Sequence, residues 1–173
     1  MDTNDLVIRA LDQPGDLGWV VMAHGELYAR EFGWDTSFET LVARIVADYA
    51  AKHDPERERA WIAAAGGQRV GCVFCVAADA ETAQLRILLV DPSARGRGLG
   101  AWLVDECLAF ARGAGYRRMR LWTNDPLAAA RRIYLSRGFQ VVEEEPHHSF
   151  GVDLVGQVYQ LDLGTFGDSA HRR

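Results

Sequence analysis

The chain of 173 residues has no apolar run of the length that a membrane span requires and no excess of positive charge. A spanning helix needs about 20 consecutive apolar residues, so we expect no membrane partner. The net charge of −5 argues against a general nucleic-acid-binding surface. The N-terminal segment Met1-Asp2-Thr3-Asn4-Asp5 is acidic and unlike a signal peptide. We therefore expect a cytoplasmic protein.

Cysteine is scarce, and its spacing does not suit a metal site. Cys72 and Cys75 have C-x-x-C spacing, which occurs in metal and redox sites. They lie in a predicted strand, however, where residues three apart point to opposite faces. No second C-x-x-C or pair of histidines completes a zinc site. We expect these two residues and Cys107 to be structural, and we expect no metal.

The sequence also lacks an internal repeat and a linker, so we predict a single domain over 1–173. Its length is enough for one sizeable core, and its composition, 49% hydrophobic and 25% charged, is ordinary for a globular protein. We expect an ordered core over about 5–164 and a loose tail after Gly164.

The most informative stretch is a loop rich in glycine that follows the apolar run Ile87–Val90. The run predicts a strand covered on both faces, which Pro92 ends. Gly96, Gly98 and Gly100 come next, and apolar residues then recur at helical spacing. A bare loop before a helix presents unpaired N–H groups to an anion, commonly a phosphate.

Several protein classes use such a loop, and the exact residues separate them. The sequence has no Gly-Lys-Ser/Thr ending, which excludes a nucleotide-binding P-loop. Gly96-x-Gly98-x-x-Ala101 fits the dinucleotide pattern, but the glycines lie well past the strand and no Asp or Glu ends the next strand. A dinucleotide-dependent oxidoreductase is thus a disfavoured alternative. Arg95-x-x-Gly98-x-Gly100 after Val90-x-Pro92 resembles the coenzyme A pyrophosphate loop of the GCN5-related N-acetyltransferase (GNAT) family.

A second segment carries the same resemblance. The segment Ala130-Arg131-Arg132-Ile133-Tyr134-Leu135-Ser136-Arg137-Gly138-Phe139 is similar to the A-x-x-x-Y-x-x-x-G-F signature of that family. The resemblance covers nearly the whole chain. It is closest to the acetyltransferase half of fusions with MarR-type regulators, on four segments: His24–Tyr28, Leu121–Asp125, Glu143–Gly151 and Asp153–Gln157. The DNA-binding half of such fusions is absent from this sequence.

The periodicity and turn signals predict an α+β fold with a parallel, right-handed strand–helix–strand unit. The predicted strands are Leu6–Ala10, Ala60–Ala65, Val70–Ala77, Ala83–Val90, Arg117–Thr123, Phe139–Glu145 and Val152–Leu163. The predicted helices are Asp16–Phe32 with Asp16 as N-cap, one capped by Thr36 or Ser37 and ended by Pro55, one from Leu99 to Ala114, and Pro126–Arg137. The resemblance implies the GNAT acyl-CoA N-acyltransferase fold, a splayed mixed sheet of about six to seven strands with about four helices.

The resemblance also implies acetyl-CoA as cosubstrate. The pantetheine arm would pair with the backbone of Leu88, Leu89 and Val90. The pyrophosphate would lie on the glycine loop, at Arg95, Gly96, Arg97, Gly98, Leu99 and Gly100. Asn124, Arg131 and Tyr134 complete the implied coenzyme site. The family often has Asn seven residues before the tyrosine, where this chain has Leu127, so Asn124 would take a related role or orient the acceptor.

Transfer of an acetyl group to an amine requires a proton donor for the departing thiolate and a neutral amine. Tyr134 falls on the general-acid position of the family; the alternative is a core tyrosine with its hydroxyl at the rim. Glu26, Glu31 and Asp35 lie on or just after the first helix, and we prefer Glu26 as the base because it lies in a segment typical of the subgroup. A backbone N–H near Val90 is a candidate for stabilising the oxyanion.

The acceptor site is predicted from residues near the gap in the sheet. Glu31, Trp34, Trp122, His147 and His148 are its candidates, the two histidines on the connection between the last two strands. Adjacent histidines point apart, which disfavours a metal. The Glu143–Glu145 run is expected to be solvated and is also suited to a cationic acceptor.

The predicted function is transfer of the acetyl group of acetyl-CoA to a primary amine of a small molecule or protein. The alternative is a regulatory module that binds acyl-CoA without catalysis and serves a transcription factor. Because folds of this family are often dimers, a homodimer is one expected state.

Overall fold

The computed structural model describes residues 5–164, which form one mixed sheet with helices on both faces. The strands are β1 (Leu6–Ala10), β2 (Arg59–Ala65), β3 (Gln68–Ala77), β4 (Thr82–Val90), β5 (Arg118–Asn124), β6 (Gln140–Ser149) and β7 (Val152–Asp162). The helices are α1 (Asp16–Phe32), α2 (Thr36–Lys52), α3 (Leu99–Gly113) and α4 (Ala128–Ser136). No helix within 5–164 combines the length and apolarity that crossing a membrane requires. The tail that we expected to be loose lies outside the described residues.

The sheet has the order β1-β2-β3-β4-β5-β7-β6. Its neighbouring strands are antiparallel except for β4 and β5, which run parallel. These two pair only from Thr82 opposite Arg118 to Gln84 opposite Arg120 and then separate. The predicted parallel unit and the predicted splayed sheet are therefore both confirmed.

Two hydrophobic layers cover the sheet. Helices α1 and α2 pack on one face, against side chains such as Ile62 and Cys72. Helices α3 and α4 pack on the other, against Trp61 and Cys75. Because strand side chains alternate between faces, Cys72 and Cys75 lie in different layers. The prediction of two buried cysteines on opposite faces of one strand is thus confirmed.

Strand β4 breaks this alternation at one point. Cys72 of β3 lies opposite Leu89 and Phe74 opposite Arg86. Strand β4 therefore has two residues, Ile87 and Leu88, where β3 has one, which is a β-bulge.

The bulge has an unusual backbone conformation and changes which residues share a face. Ile87 has φ 47°, in the left-handed region that β-branched residues rarely adopt. Arg86 and Ile87 consequently both face the α1–α2 side. Leu85 and Leu88 face the α3 side.

The start of α1 differs from the prediction. Gly15, with φ 91°, occupies the N-cap position. Asp16 is instead fully buried and forms ion pairs with Arg9 at 2.8 Å and with Arg69 at 2.7 Å. The carboxylate thus joins β1, α1 and β3.

Helix α2 also has a different cap. Asp35, rather than Thr36 or Ser37, precedes the helix, and its carboxylate accepts the Ser37 N–H at 2.9 Å.

Near the end of the described residues, strand β6 continues through His147 and His148. The prediction that these histidines lie between the last two strands is therefore wrong.

Candidate active site

The gap between β4 and β5 contains two connected cavities. The large cavity, of about 570 Å³, lies between the glycine loop, the end of β4 and the start of α4. The small cavity, of about 310 Å³, lies between α1, α2, β4 and β5. Tyr28, Leu88, Leu127 and Ala130 line both. The two cavities therefore meet at these four residues, which we call the junction.

The glycine loop forms one wall of the large cavity, as predicted. The predicted coenzyme residues that line it are Leu88, Leu89, Val90, Arg95, Gly96, Gly98, Leu99 and Gly100. Gly98, with φ 75°, is the N-cap of α3, and no described side chain caps this helix. The first-turn N–H groups of α3 therefore remain available to an anion in the cavity.

A glycine in the first turn of α3 permits close packing against α4. A Cβ atom at Gly100 would lie 2.8 Å from Cδ1 of Ile133, closer than two carbon atoms can approach without displacement. Because Ile133 also lines the large cavity, a larger residue at position 100 would push Cδ1 of Ile133 toward that cavity.

The charges at the large cavity are arranged differently from the prediction. Glu31, expected in the acceptor site, lines this cavity and forms an ion pair with Arg95, Oε1 to Nη2 at 2.5 Å. Arg97 does not line either cavity. Arg131 donates from Nη1 to the carbonyl oxygen of Asp125 at 2.8 Å, and its neighbour Arg132 lines the large cavity instead.

Tyr134 lies on α4, one turn after the junction residue Ala130, and lines the small cavity. Its ring is buried and packs against Phe139 and Tyr159, with centroids 5.8 and 6.0 Å away. Burial raises the pKa of its hydroxyl, so the group stays protonated at neutral pH. Tyr134 therefore lies beside the junction with a protonated hydroxyl, and the same burial makes that hydroxyl a weaker acid than an exposed tyrosine.

Two residues of α1 were missed by the sequence analysis as cavity residues. Tyr28 lines both cavities, and His24 lines the small one; their rings stack with centroids 5.7 Å apart. The signal that could have found them is their spacing, since His24, Tyr28 and Glu31 fall on one helical face.

His24 is buried and has two backbone carbonyls nearby. Its Nδ1 lies 2.8 Å from the Val20 carbonyl oxygen, and Nε2 faces the backbone of Ile87 without a well-formed hydrogen bond. A neutral imidazole has one N–H, so one of its nitrogens stays unmatched. Burial lowers the pKa of His24 to about 4, and the ring is therefore neutral at physiological pH.

The predicted acceptor residues separate into two groups. Trp34 and Trp122 line the small cavity, together with Asn124. His147 lies behind Asn124, with Nε2 at 2.8 Å from the amide oxygen Oδ1, and does not itself line the cavity. His148 is exposed and pairs with Asp153 at 2.8 Å. The structure thus gathers the tryptophans and Asn124 and places both histidines outside.

Glu26, the base predicted from the sequence, is exposed on α1 and lines neither cavity. It lies on a different side of the helix from Tyr28, which faces the junction. This placement leaves only a route through water between Glu26 and an amine in the cavity. Across the described part of the chain, no group of three His, Cys, Asp or Glu side chains could hold a metal ion.

Comparison with known proteins relates the chain to acetyltransferases. The family model described as the acetyltransferase (GNAT) family matches residues 21–139. An uncharacterized N-acetyltransferase of Schizosaccharomyces pombe is 31% identical over 150 residues, which cover 86% of this chain and 91% of that protein. A mycothiol acetyltransferase of Beutenbergia cavernae is 39% identical over 74 residues, 43% of this chain but 24% of that protein.

Solved structures agree in fold. The protein yncA from Salmonella typhimurium, solved with its cofactor acetyl-CoA, has a TM-score of 0.72 at 19% identity, covering 94% of this chain and 96% of that one. An N-acetyltransferase from Staphylococcus aureus Mu50 has a TM-score of 0.75 at 18% identity, covering 92% and 99%. At such identities the similarity establishes the fold.

Proposed function

The chain belongs to the acetyltransferase (GNAT) family, and from this premise we propose that it transfers an acetyl group directly to a primary amine of a small molecule or protein. Family membership makes it an acetyl-CoA-dependent N-acetyltransferase. Beyond family membership, we propose that the transfer is direct and that the acceptor is a primary amine, and we propose which residues perform the reaction. The observation that carries it is the junction, where the two cavities meet beside Tyr134.

The large cavity is the proposed site of the coenzyme. The α3 N-terminus and the guanidinium groups of Arg95 and Arg132 supply donors and positive charge for the pyrophosphate. Past Gln84, β4 has no pairing with β5. The backbone of Leu88 to Val90 is thus suited to pair with the amides of the pantetheine arm as an added strand would.

The proposed reaction occurs at the junction. The amine nitrogen attacks the thioester carbonyl carbon, and a backbone N–H of β4 near Val90 stabilises the oxyanion. The carbon–sulfur bond then breaks, and the thiolate takes the hydroxyl proton of Tyr134. Tyr134 regains its proton from solvent, and the proton of the amine leaves through water, with Glu26 as the candidate base.

The assignment to the subgroup of MarR-type fusions and the alternative of a module without catalysis have less support than the N-acetyltransferase function. The likeness to the acetyltransferase half of MarR-type fusions rests on short segments, and none of the relatives described above is such a fusion. The alternative of a non-catalytic acyl-CoA-binding module has no support from those relatives.

Thermal unfolding combined with turnover tests the proposal. Acetyl-CoA at a hundredfold excess over its Kd adds about 2.7 kcal/mol of stability, which raises the midpoint by roughly 5 to 10 °C in a domain of this size. NADH should give no shift, and an amine panel should release thiol. Tyr134→Phe should keep the shift and lose about 10²- to 10⁴-fold in kcat.

Tyr159→Phe is the matched control, because it removes the hydroxyl of a neighbouring tyrosine that lines neither cavity. It should keep both the shift and the turnover. No shift at millimolar acetyl-CoA would overturn the coenzyme site, and full turnover by Tyr134→Phe would overturn the acid role.

A further inference from the structure

We infer, on the basis of the proposed function, that the acceptor is a small molecule with a carboxylate close to its amine and an apolar side chain, and that Arg86 binds the carboxylate. The proposal combines the charge of the small cavity, its apolar wall, its volume and the position of the β-bulge.

The charge of the small cavity is positive. Arg86 lines it, and no Asp or Glu is among the residues that line it. Within residues 5–164, Arg86 has no hydrogen bond and no ion pair within 4 Å; Asp48 on α2 acts on it only from a greater distance. Burial removes part of this charge from water and thereby lowers the pKa of the guanidinium. A partly buried guanidinium with no close partner is suited to bind an anion that enters the cavity.

A second unpaired donor lies in the same wall. The indole Nε1 of Trp34 is buried and has no acceptor among the described residues. That Nε1 has almost no exposed surface and does not reach a ligand in the cavity, so the guanidinium of Arg86, which is a donor only, sets the requirement of this cavity for acceptor oxygens. A carboxylate supplies them and matches the planar fork of arginine. A polyamine would find no counter-charge here.

The β-bulge brings Arg86 close to the reaction centre. Because the backbone of Ile87 is in the left-handed region, the side chains of Arg86 and Ile87 lie on the same face of the sheet and line the small cavity. The junction residue Leu88 is the next residue in the sequence. Two residues along a strand span about 6.6 Å. A ligand whose carboxylate reaches Arg86 while its amine lies at the junction must have the two groups near each other, as in an α-amino acid.

Much of the rest of the wall is apolar, although His24, Gln84, Thr123 and Asn124 also line it. Trp34, Phe38, Leu41, Val42, Ile45 and Trp122 contribute to its apolar part. A cavity of about 310 Å³ accommodates one amino acid with a hydrophobic side chain. The acidic run Glu143–Glu145, which we expected to suit a cationic acceptor, is exposed on β6 and does not line this cavity.

The test compares amines that differ only in the carboxylate. The pairs are leucine with 3-methylbutylamine and phenylalanine with 2-phenylethylamine. Turnover is measured by thiol release with acetyl-CoA, and binding by calorimetry to the protein saturated with CoA. We expect each acid to exceed its amine at least tenfold in kcat/KM and in affinity.

Two variants assign the preference to one side chain. Arg86→Met should reduce the acid-to-amine ratio to near unity while the protein still unfolds cooperatively. Arg44→Met is the matched control, since Arg44 is exposed on α2 next to the cavity and does not line it. It removes the same charge and should preserve the ratio.

The outcomes separate this proposal from the proposed function. Acids that bind no more tightly than amines, or a preference that survives in Arg86→Met, would overturn the carboxylate site while N-acetylation of amines stands. Acids that bind through Arg86 but are never acetylated would support the carboxylate site and overturn the proposed reaction.

Discussion

Arg95 and Glu31 form an ion pair at the wall of the large cavity, with Nη2 2.5 Å from Oε1. The pair joins the glycine loop to α1, and the arginine is about half exposed. A bound pyrophosphate would compete with Glu31 for this guanidinium. The carboxylate of Glu31 would also repel the phosphates.

Removal of that carboxylate should therefore strengthen coenzyme binding. We expect Glu31→Gln to lower the Kd of acetyl-CoA by about two- to fivefold, since an exposed ion pair is worth about 0.2–1 kcal/mol. Calorimetry at low ionic strength measures it. Glu39→Gln, on α2 and outside both cavities, is the control. Weaker binding by Glu31→Gln would show that Glu31 positions Arg95 for the phosphates.

The packing of α3 on α4 can be tested with two glycines of one helix. Gly100→Ala places a Cβ 2.8 Å from Cδ1 of Ile133; because that methyl group can shift toward the cavity, the substitution should cost at most about 1 kcal/mol of unfolding free energy. It should also weaken acetyl-CoA binding, because Ile133 lines the large cavity. Gly113→Ala meets no described atom within 4 Å and should change stability by at most about 1 kcal/mol, in the favourable direction. Equal effects in urea unfolding would contradict the packing argument.

Asp16 is expected to be a strong determinant of stability. Loss of its charge leaves Arg9 and Arg69 without their buried partner, so Asp16→Asn should cost about 3–5 kcal/mol. Asp12→Asn, which removes an exposed carboxylate 4.0 Å from Arg9, should cost at most about 1 kcal/mol.

The same residue predicts acid sensitivity. The hydrogen bonds from Arg9 hold the pKa of Asp16 far below its usual range. The stabilisation is therefore complete above the unfolded pKa of about 3.9 and is lost as the pH falls below it. Urea midpoints between pH 5 and pH 2 should fall steeply in the native protein and less in Asp16→Asn.

His24 predicts a separate pH effect at higher pH. Burial lowers its pKa to about 4, below the unfolded value of about 6.5. As the pH falls between these values, the unfolded chain takes up a proton that the folded protein does not, so stability decreases by about 3 kcal/mol. Urea midpoints across pH 7 to 4 should show this decrease. His24→Gln should flatten it, and an unchanged slope in that variant would assign the loss to other groups.

The sequence predicts those structural features that depend on neighbouring residues in the chain. Apolar periodicity located α1 and α2, and Pro92 with the glycines that follow it located the end of β4 and the start of α3. The residues of the glycine loop that were expected at a ligand line the large cavity, apart from Arg97. The gap between β4 and β5 followed from the parallel unit that these elements form.

The bulge in β4 could not be predicted, because nothing local favours it. Isoleucine is among the least suitable residues for positive φ, and only the pairing of β4 with β3 places it there. A strand with normal alternation would have put Arg86 and Ile87 on opposite faces. The cavity role of Arg86 therefore becomes visible only with the register.

The directions of individual side chains explain the other differences between the predicted and the observed site residues. Neighbouring helical residues point about 100° apart, so the start of α4 decides that Arg132, and not Arg131, faces the large cavity. His147 was expected in the acceptor wall. In the extended β6 it lies behind Asn124 instead.

The two edges of the sheet have a consequence for association. Strand β1 at one edge is five residues long, and β6 at the other carries Glu143, Glu144 and Glu145 in exposed positions. Short and charged edges both disfavour addition of a strand from another molecule. The gap past Gln84, by contrast, offers backbone of β4 that does not pair with β5 inside the sheet, where an extended ligand can pair as an added strand would. The fold thus places the backbone available to an extended ligand inside the sheet, away from its short and charged outer edges.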